Sequence, residues 1–512
     1  MKTLITILFG IMGVLMGYSC IPATSATDDS SLLLSTFLGG SGKDIGYSVA
    51  VDPSGNIYVA GTTYTSGFPM VNPYQGTLRG TSDGFIAKFN PTGTDLLFST
   101  FLGGSGDEDI TSITVDAEGQ VYLTGWTSSG NYPVTPDAFD GVGPSGMWDA
   151  FLSIMDTATG GGQALMYSTY LGGSNMDKGT HVDKVGNYVY VTGYTASPNF
   201  PLVNAADDSL DGYQDAFAFV IQPGDTAPMY ATYFGGSAYE ASLGGDTALD
   251  GSLYFTGWTS SSDFPTTTGS DFLGVYDLFM VKLTPSGGLD YSMIAGGSGR
   301  DIGWSVNADG LSAFVAGETR STDFPITLDA LDEVNQGGIC GFGSESHPCQ
   351  DAFFIWVDPQ GGIEYSTYLG GSRDETAYAV QRWDAYTILA GSTNSSEFLT
   401  SGDAYDPTFN GDISLLCEDG LPCPDAFLTV LTDTGALHYS TFLGALRDDT
   451  ARSVWLASLD KIHLAGFTDD SGFPTIGDAY DTSHNGNADA FVAALNAPGI
   501  QTRTVYLSII IK

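Results

Sequence analysis

Basic side chains are scarce in this sequence, and their scarcity argues against several classes of function. The 512-residue chain has 16 lysines and arginines against 59 aspartates and glutamates, a formal net charge of −43 at pH 7. Proteins that bind nucleic acid neutralise phosphates with lysine and arginine, so no nucleic-acid partner is expected. Anionic membrane surfaces are disfavoured for the same reason. The negative charge indicates high solubility and leaves cation binding and cationic partners open.

Long apolar runs are also missing from the body of the chain. None reaches the ~20 residues that a transmembrane helix needs, so we expect no such segment in the mature protein. The apolar stretch Leu4–Met16 behind Lys2 is typical of a signal peptide. Cleavage after Ala26 predicts secretion, which we favour. The alternative is lipid attachment at Cys20, which would anchor the protein at the cell surface.

Cysteine is rare, and four of the five cysteines form two close pairs, Cys340 with Cys349 and Cys417 with Cys423. An even number of cysteines in an exported chain predicts disulfides, and we expect one bridge within each pair. Metal binding is the weaker alternative because neither pair has a tetrahedral set of ligands nearby.

Catalytic motifs are missing as well. The five histidines are scattered without metal-ligand spacing. There is no Gly-x-Ser-x-Gly elbow, phosphate loop or dinucleotide fingerprint. Paired carboxylates for glycoside cleavage remain open, but no pair is singled out. We therefore expect a non-enzymatic protein, with no cofactor other than Ca²⁺ as an open alternative.

The sequence does contain one repeat unit, which occurs seven times. "STFLGGS" at Ser35 and Ser99 recurs with small changes five more times; we call this segment the anchor. Three further motifs follow in the same order: Gly-x-Thr, an aromatic residue before proline, and Asp-x-Phe. The sixth copy departs from the second motif, because Leu399 takes the place of the proline after Phe398. The first glycines of the anchors are Gly39, Gly103, Gly172, Gly235, Gly296, Gly370 and Gly444. A repeat of this kind predicts a solenoid, propeller or array.

Each unit contains four short strand signals separated by turn residues. In the first unit we predict strand A at Tyr47–Asp52, B at Ile57–Thr63, C at Gly84–Phe89 and D at Leu96–Leu102. Four antiparallel strands per repeat, repeated radially, form the blade of a β-propeller. The sequence thus predicts an all-β, seven-bladed propeller, with residues 1–26 as signal peptide, 27–500 as propeller and 501–512 as a C-terminal tail.

Blade seven lacks its own strand D, and two segments compete to supply it. The N-terminal strand Ser31–Leu38 copies the anchor and precedes the first complete blade. The segment Thr504–Ser508 lies at the right distance after Asp489. We favour the N-terminal strand, because it would join the two ends of the ring and pair the exposed edge strand of blade seven. The tail Thr502–Lys512 would then be an added strand or an exposed end.

The unit resembles the bacterial β-propeller repeat family called SBBP, over roughly Ser31–Asn496. The resemblance implies an exported or surface-displayed protein and no particular reaction. "VDPSGNIYVAG" also resembles the NHL propeller repeat, which implies that strand A lines the central channel and strand D forms the rim.

One polar position is acidic in every unit, four residues after the second glycine of the anchor. It is occupied by Asp44, Glu108, Asp177, Glu240, Asp301, Glu375 and Asp449. We interpret these carboxylates as acceptors of backbone N–H groups in the turn from strand D to strand A. A cation-binding ring is the alternative, although Ca²⁺ wants several oxygens at ~2.3–2.6 Å and each blade supplies one carboxylate.

The middle residue of Gly-x-Thr differs between units and offers the asymmetry that a binding site needs. These residues are Thr62, Trp126, Tyr194, Trp258, Glu318, Ser392 and Phe467. We call them the crescent. Aromatic side chains there could stack on sugar rings or could pack between blades. The ligand-binding candidates are Trp126, Tyr194, Trp258, Glu318 and Phe467.

Together these patterns predict a monomeric exported propeller that binds an extracellular glycan or protein at the cell surface. Two alternatives stay open: a propeller hydrolase or lyase acting on extracellular polysaccharide, and a purely structural surface protein. The fold does not decide among them.

Overall fold

The computed structural model describes residues 31–144, 147–340, 347–411, 422–458 and 461–498. The expected signal peptide with Cys20, the second-pair cysteine Cys417 and the tail 501–512 lie outside the described residues. No described helix is long and apolar enough to cross a membrane.

Seven four-stranded antiparallel sheets form the blades, and the strands of each blade follow the order A, B, C, D. Blade 1 consists of β2 (Asp44–Val51), β3 (Ile57–Thr63), β4 (Asp83–Phe89) and β5 (Leu96–Leu102). Blade 2 consists of β6 (Glu108–Val115), β7 (Gln120–Thr127), β8 (Asp149–Asp156) and β9 (Leu165–Leu171), with a short 3₁₀ helix at Gly161–Gln163. Blade 3 consists of β10 (Asp177–Val185), β11 (Tyr188–Thr195), β12 (Asp215–Ile221) and β13 (Tyr230–Phe234).

The remaining blades repeat this order. Blade 4 consists of β14 (Glu240–Thr247), β15 (Leu253–Thr259), β16 (Asp277–Leu283) and β17 (Leu289–Ala295). Blade 5 consists of β18 (Asp301–Ala308), β19 (Ala313–Thr319), β22 (Asp351–Val357) and β23 (Ile363–Leu369); its B–C loop carries β20 (Ile339–Cys340) and β21 (His347–Pro348). Blade 6 consists of β24 (Glu375–Trp383), β25 (Tyr386–Thr393), β26 (Asp425–Thr432) and β27 (Leu437–Leu443). Blade 7 consists of β28 (Asp449–Ser458), β29 (Lys461–Thr468), β30 (Asp489–Asn496) and the N-terminal β1 (Ser31–Leu38).

The N-terminal strand closes the ring, as the favoured alternative predicts. β1 pairs antiparallel with β30, from Ser31 opposite Asn496 to Leu38 opposite Ala490. Strands β28 and β29 of blade 7 contact β2 of blade 1, so the seven blades form a closed ring. Strand A begins at the acidic residue itself, three residues earlier than predicted in blade 1, because that residue already pairs with the threonine of Gly-x-Thr.

The hydrophobic core is divided into seven clusters, each between two neighbouring blades. Strands B and C are covered on both faces, which explains why β3 is buried along its whole length. In every blade the aromatic residue before the proline position packs on the phenylalanine of Asp-x-Phe, with ring centroids 4.5 Å apart for Phe68 and Phe85. The same pair recurs as Tyr132–Phe151, Phe200–Phe217, Phe264–Phe279, Phe324–Phe353, Phe398–Phe427 and Phe473–Phe491.

The first predicted disulfide is confirmed. Cys340 and Cys349 are bonded, with 4.9 Å between their Cα atoms, and they link the small hairpin in the B–C loop of blade 5. Cys423 is also disulfide-bonded. Its pairing with Cys417 stays a prediction because Cys417 lies outside the described residues.

Candidate binding cavity at one mouth of the channel

Strand A of every blade lines a central channel, as the NHL resemblance implies. Each of these seven strands has a β-bulge against strand B, between the third and fifth residues of the strand. A bulge adds one residue to a strand and re-aims its side chain. The extra residue is always the third after the acidic position, and in every blade it lines the channel.

The glycine of Gly-x-Thr makes the bulge possible. A Cβ atom placed on Gly61 would lie 1.9 Å from the carbonyl oxygen of Ile45 in strand A. The corresponding glycines of the other six blades meet the same strand at 1.8 to 1.9 Å. A glycine inside a strand often marks a bulge or a close backbone approach, and here it marks both.

The seven re-aimed residues form a ring that is strongly asymmetric, and we call it the bulge ring. Its members are Tyr47, Thr111, Thr180, Leu243, Trp304, Tyr378 and Arg452. Blades 2, 3 and 4 contribute two threonines and a leucine, whereas the adjoining blades 5, 6, 7 and 1 contribute three aromatic rings and a guanidinium. One side of the channel therefore presents aromatic and cationic side chains, whereas the other presents threonine and leucine.

The aromatic and cationic members touch one another. The rings of Trp304 and Tyr378 meet edge to face at 5.4 Å between centroids. The Arg452 guanidinium lies 4.0 Å from the centroid of Tyr378 and 5.8 Å from that of Phe467, a crescent residue. Cation–π contacts of this kind attract a guanidinium to the ring. These four residues form a continuous wall.

A cavity of about 880 Å³ opens beside this wall at the channel mouth where strand A begins. Its size is typical of small-molecule sites, which range over ~300–1,000 Å³. Blades 5 to 7 and the start of blade 1 supply its lining, including Tyr378, Phe467 and Arg452. Amide side chains at Gln350, Asn394 and Asn487 complete a surface that suits a polar ligand with apolar faces.

The crescent is divided between this cavity and the rest of the ring. Phe467 and Ser392 line the cavity. The indole N–H of Trp126 donates to Asp109 at 3.0 Å, and the ring lies 5.3 Å from that of Trp148. Trp258 packs on Tyr276 at 4.6 Å.

The remaining crescent residues have packing roles or half-exposed positions. Tyr194 is half-buried, and Thr62 is fully buried with its hydroxyl donating to Asp109. Glu318 is buried and accepts hydrogen bonds from Trp304 and Thr376 at 3.1 Å and 2.9 Å, with Arg300 3.5 Å away. The crescent therefore acts in packing as well as in lining the cavity.

The acidic position has the same hydrogen bonds in every blade, as the structural interpretation predicts. The carboxylate of Asp44 accepts the backbone N–H of Gly40 at 2.8 Å, and each of its six counterparts accepts the equivalent N–H. In blades 2 to 6 the threonine of Gly-x-Thr also donates to it. All seven carboxylates are buried.

Each acidic residue also faces a second carboxylate, the aspartate of Asp-x-Phe in the preceding blade. The two approach across the first glycine of the anchor: a Cβ atom on Gly39 would lie 2.7 Å from Asp489 Oδ1 and 2.8 Å from Asp44 Oδ2. In six of the seven anchors this atom would meet both carboxylates. We call these groups the carboxyl pairs.

Burial raises the pKa of these groups, and in several of them the charge of the pair partner contributes. Burial raises the pKa of Asp44 to about 6, and the charge of Asp489 contributes. Burial and the charge of Glu240 raise the pKa of Asp215 to about 8. Like charges held close together in a dry site favour keeping one proton between them.

The carboxyl pairs do not gather into a larger ligand cluster. Within the described parts of the chain, one group of three potential ligand side chains has its ligand atoms within 4.8 Å of one another, and it consists of Cys340, Cys349 and Asp374. Its two sulfurs are joined in the disulfide. The seven acidic residues therefore stand one to a blade, each with a single carboxylate partner.

Two features escaped the sequence interpretation: the bulge ring and the carboxyl pairs. The sequence holds a signal for the bulge ring, because an isolated glycine within a strand, here the glycine of Gly-x-Thr in strand B, indicates a bulge. The partners in each carboxyl pair come from different blades, so no single unit shows them together.

Comparison with known proteins supports the repeat. The SBBP family, a beta-propeller repeat, matches residues 35–69, 97–133 and 167–201. The WD40 β-propeller domain of Doa1 is 11% identical with a TM-score of 0.43, over 91% of this chain and 97% of that chain. The WD40 domain of Neurospora crassa Pan2 is 8% identical with a TM-score of 0.41, over 92% and 96%. Sqt1 from Chaetomium thermophilum is 10% identical with a TM-score of 0.39, over 92% and 100%. No curated protein matches the chain.

Proposed function

The chain carries SBBP β-propeller repeats, and on this scaffold we propose that it is an exported, non-enzymatic module that binds an extracellular glycan. The glycan would lie in the cavity over blades 5, 6, 7 and 1. The observation that carries the proposal is the asymmetry of the bulge ring. Positions that serve only the fold repeat around the ring, whereas these vary and place Trp304, Tyr378 and Arg452 side by side.

The chemistry of the cavity favours a carbohydrate. Sugars present apolar ring faces and many hydroxyls, which match aromatic surface combined with amides and carboxylates. Tyr378 and Phe467 supply the aromatic surface, and Asn394, Asn487 and Asp374 supply polar groups.

A glycan array probed with the purified protein tests the proposal. We expect Tyr378→Ala to weaken binding at least tenfold, since stacking on an aromatic wall supplies much of the contact. Leu243→Ala is the matched control, because Leu243 holds the same bulge position in blade 4 and is equally half-buried. The variants Trp126→Ala and Trp258→Ala test whether crescent residues outside the cavity contribute to glycan binding.

Three outcomes would contradict the proposal. Equal losses in Tyr378→Ala and Leu243→Ala would place binding elsewhere. No binding to any glycan would favour a protein ligand or a purely structural role. Cleavage of a polysaccharide panel would favour the hydrolase or lyase alternative, for which the cavity carboxylates Asp374, Asp448 and Asp469 would be the candidate acids and bases.

A further inference from the structure

We propose that the glycan bound in this cavity is acidic and that the Arg452 guanidinium receives its carboxylate or sulfate. The inference rests on the proposed function and adds the chemical class of the ligand. Three observations support it: the distribution of basic residues, the contacts of Arg452, and the hydrogen bonds of the neighbouring carboxylates.

Basic residues are concentrated at this cavity. The whole chain has 16 lysines and arginines in 512 residues, yet three of the 17 residues that line the cavity are basic. Arg452 belongs to the wall, whereas Lys43 and Arg447 are exposed. A chain with net charge −43 has no general surplus of cations, so this grouping indicates a local role.

Among the described residues, these three cations form no close ion pair with a carboxylate. The ion pairs among the described residues are Lys184–Asp116, Lys282–Asp290 and Arg300–Glu318. Within the described ranges, therefore, no carboxylate oxygen lies within 4.0 Å of a side-chain nitrogen of Lys43, Arg447 or Arg452. Burial raises the pKa of Asp469, and the charge of Arg447 opposes that rise from beyond this distance. Arg452 is the cation on which the inference rests.

Arg452 is the best prepared of the three to bind an oxyanion. Its guanidinium lies near the rings of both Tyr378 and Phe467, and its Nε atom is buried without a hydrogen-bond partner among the described residues. Burying a charge without a counter-ion is costly, and a bound anion would relieve that cost. The planar fork of a guanidinium matches two oxygens of a carboxylate or sulfate, and the contacts with the rings place it at the cavity wall before the ligand arrives.

The carboxylates of the cavity are already engaged. Asp374 accepts the backbone N–H of Gln350 at 2.9 Å, and Asp469 accepts that of Asp448 at 2.8 Å. Asp448 accepts the hydroxyl of Thr450 at 3.3 Å. These groups fix the loops of the cavity and can also accept sugar hydroxyls. The charge that lacks a partner is the cation on the wall.

Calorimetric titration with four probes of equal length tests the inference: oligogalacturonate, alginate oligomer, sulfated galactan and neutral galactan. The wild-type protein should bind at least one acidic probe more tightly than the neutral one, and the sulfated arm separates sulfate from carboxylate. Arg452→Gln should lower the affinity for that acidic probe roughly 10- to 100-fold, as expected for a lost charge-assisted bidentate bond. Added salt should weaken wild-type binding.

Arg382→Gln is the matched control, because Arg382 also stacks on a ring, 4.9 Å from the centroid of Phe314, and lies outside the cavity. This control should leave the affinity unchanged, and its melting temperature shows whether either variant folds. Equal binding of acidic and neutral probes, or full binding by Arg452→Gln, would overturn the inference. In that case a loss of neutral binding in Tyr378→Ala leaves the proposed function standing, whereas no binding to any probe rejects both.

Discussion

At the scale of single residues, the carboxyl pair explains why the first residue of each anchor's Gly-Gly or Gly-Ala step is a glycine. Its missing side chain leaves room for two buried carboxyl groups from neighbouring blades, Asp44 and Asp489 in the first anchor. The second carboxylate of the pair caps its own loop, since Asp489 accepts the backbone N–H of Asn485 at 2.7 Å. The first glycine of the anchor thus marks a junction between blades, which is why it recurs in all seven anchors, whereas the following Gly-Ser is replaced by Ala445-Leu446 in the seventh.

Replacing this glycine should therefore destabilise the ring. In Gly39→Ala the new Cβ would lie under 3 Å from oxygens of both Asp44 and Asp489, so one of them must shift. We expect a loss of about 1–3 kcal/mol in the free energy of unfolding, typical of overpacking in a buried site. Urea denaturation measures it. Gly141→Ala is the control, because its Cβ would meet no atom within 4 Å; equal effects of the two substitutions would contradict the junction role.

At the scale of elements, the closing strand β1 holds the two ends of the chain together. Its inner half is buried: Phe37 packs against Phe473 at 6.2 Å and His484 at 5.7 Å between ring centroids. The outer half is less constrained, and Leu33 is 41% exposed where the pairing with β30 shifts register. Most of the closure energy should therefore lie in the half next to the anchor.

This division gives a test within one strand. Phe37→Ala should lower the free energy of unfolding by about 3–5 kcal/mol, the usual cost of emptying a buried phenylalanine site. Leu33→Ala should change it by about 0.5 kcal/mol or less, as exposed positions usually do. Chemical denaturation of both variants measures the difference. A small effect at Phe37 would mean that β1 adds little to closure.

The strands and their order could be predicted from the sequence, whereas only Phe467 among the ligand-binding candidates lines the cavity. Seven copies of one pattern show which positions recur and where turn residues separate the strands. The sequence therefore predicts the strands Ile57–Thr63 and Leu96–Leu102 with the bounds that the structure gives. The bulge ring depends on a register difference between two strands, which neither strand shows alone. The place of Arg452 in the channel follows from the bulge between Ala451 and Ser453.

At the scale of the whole molecule, the carboxyl pairs couple the stability of the ring to pH. Their folded pKa values lie above the ordinary values because burial disfavours the charged form, and a second carboxylate adds to the effect. Burial raises the pKa to about 7 in Asp149, Asp351 and Asp425, and to about 6 in Asp177 and Asp301. Several of these groups keep a buried oxygen with no hydrogen-bond partner among the described residues, where a shared proton would lie.

The sign of the effect follows from linkage. A group whose pKa is higher in the folded state binds its proton more tightly there, so its contribution is fully present below the unfolded pKa of ~4 and is lost as pH rises through the folded pKa of about 6 to 8. Hydrogen bonds lower the pKa of Asp263 and Asp323, and those contributions are lost only as pH falls below ~4. The two trends place the maximum of stability in mild acid.

We therefore expect the melting temperature to be highest near pH 4–6 and to fall as pH rises from 6 to 9, because the pairs must lose their protons and become repelling dianions. Scanning calorimetry across this range measures it. Asp215→Asn removes the proton-binding group with the highest of these pKa values, about 8, so its melting temperature should fall less between pH 6 and 9 than that of the wild type. Asp263→Asn, at an exposed carboxylate whose pKa is lowered by hydrogen bonds from Ser237, should leave the wild-type slope unchanged over the same range. A melting temperature that rises steadily to pH 9, with the same slope in Asp215→Asn, would mean that the pairs are fully ionised in the folded ring and are stabilised in some other way.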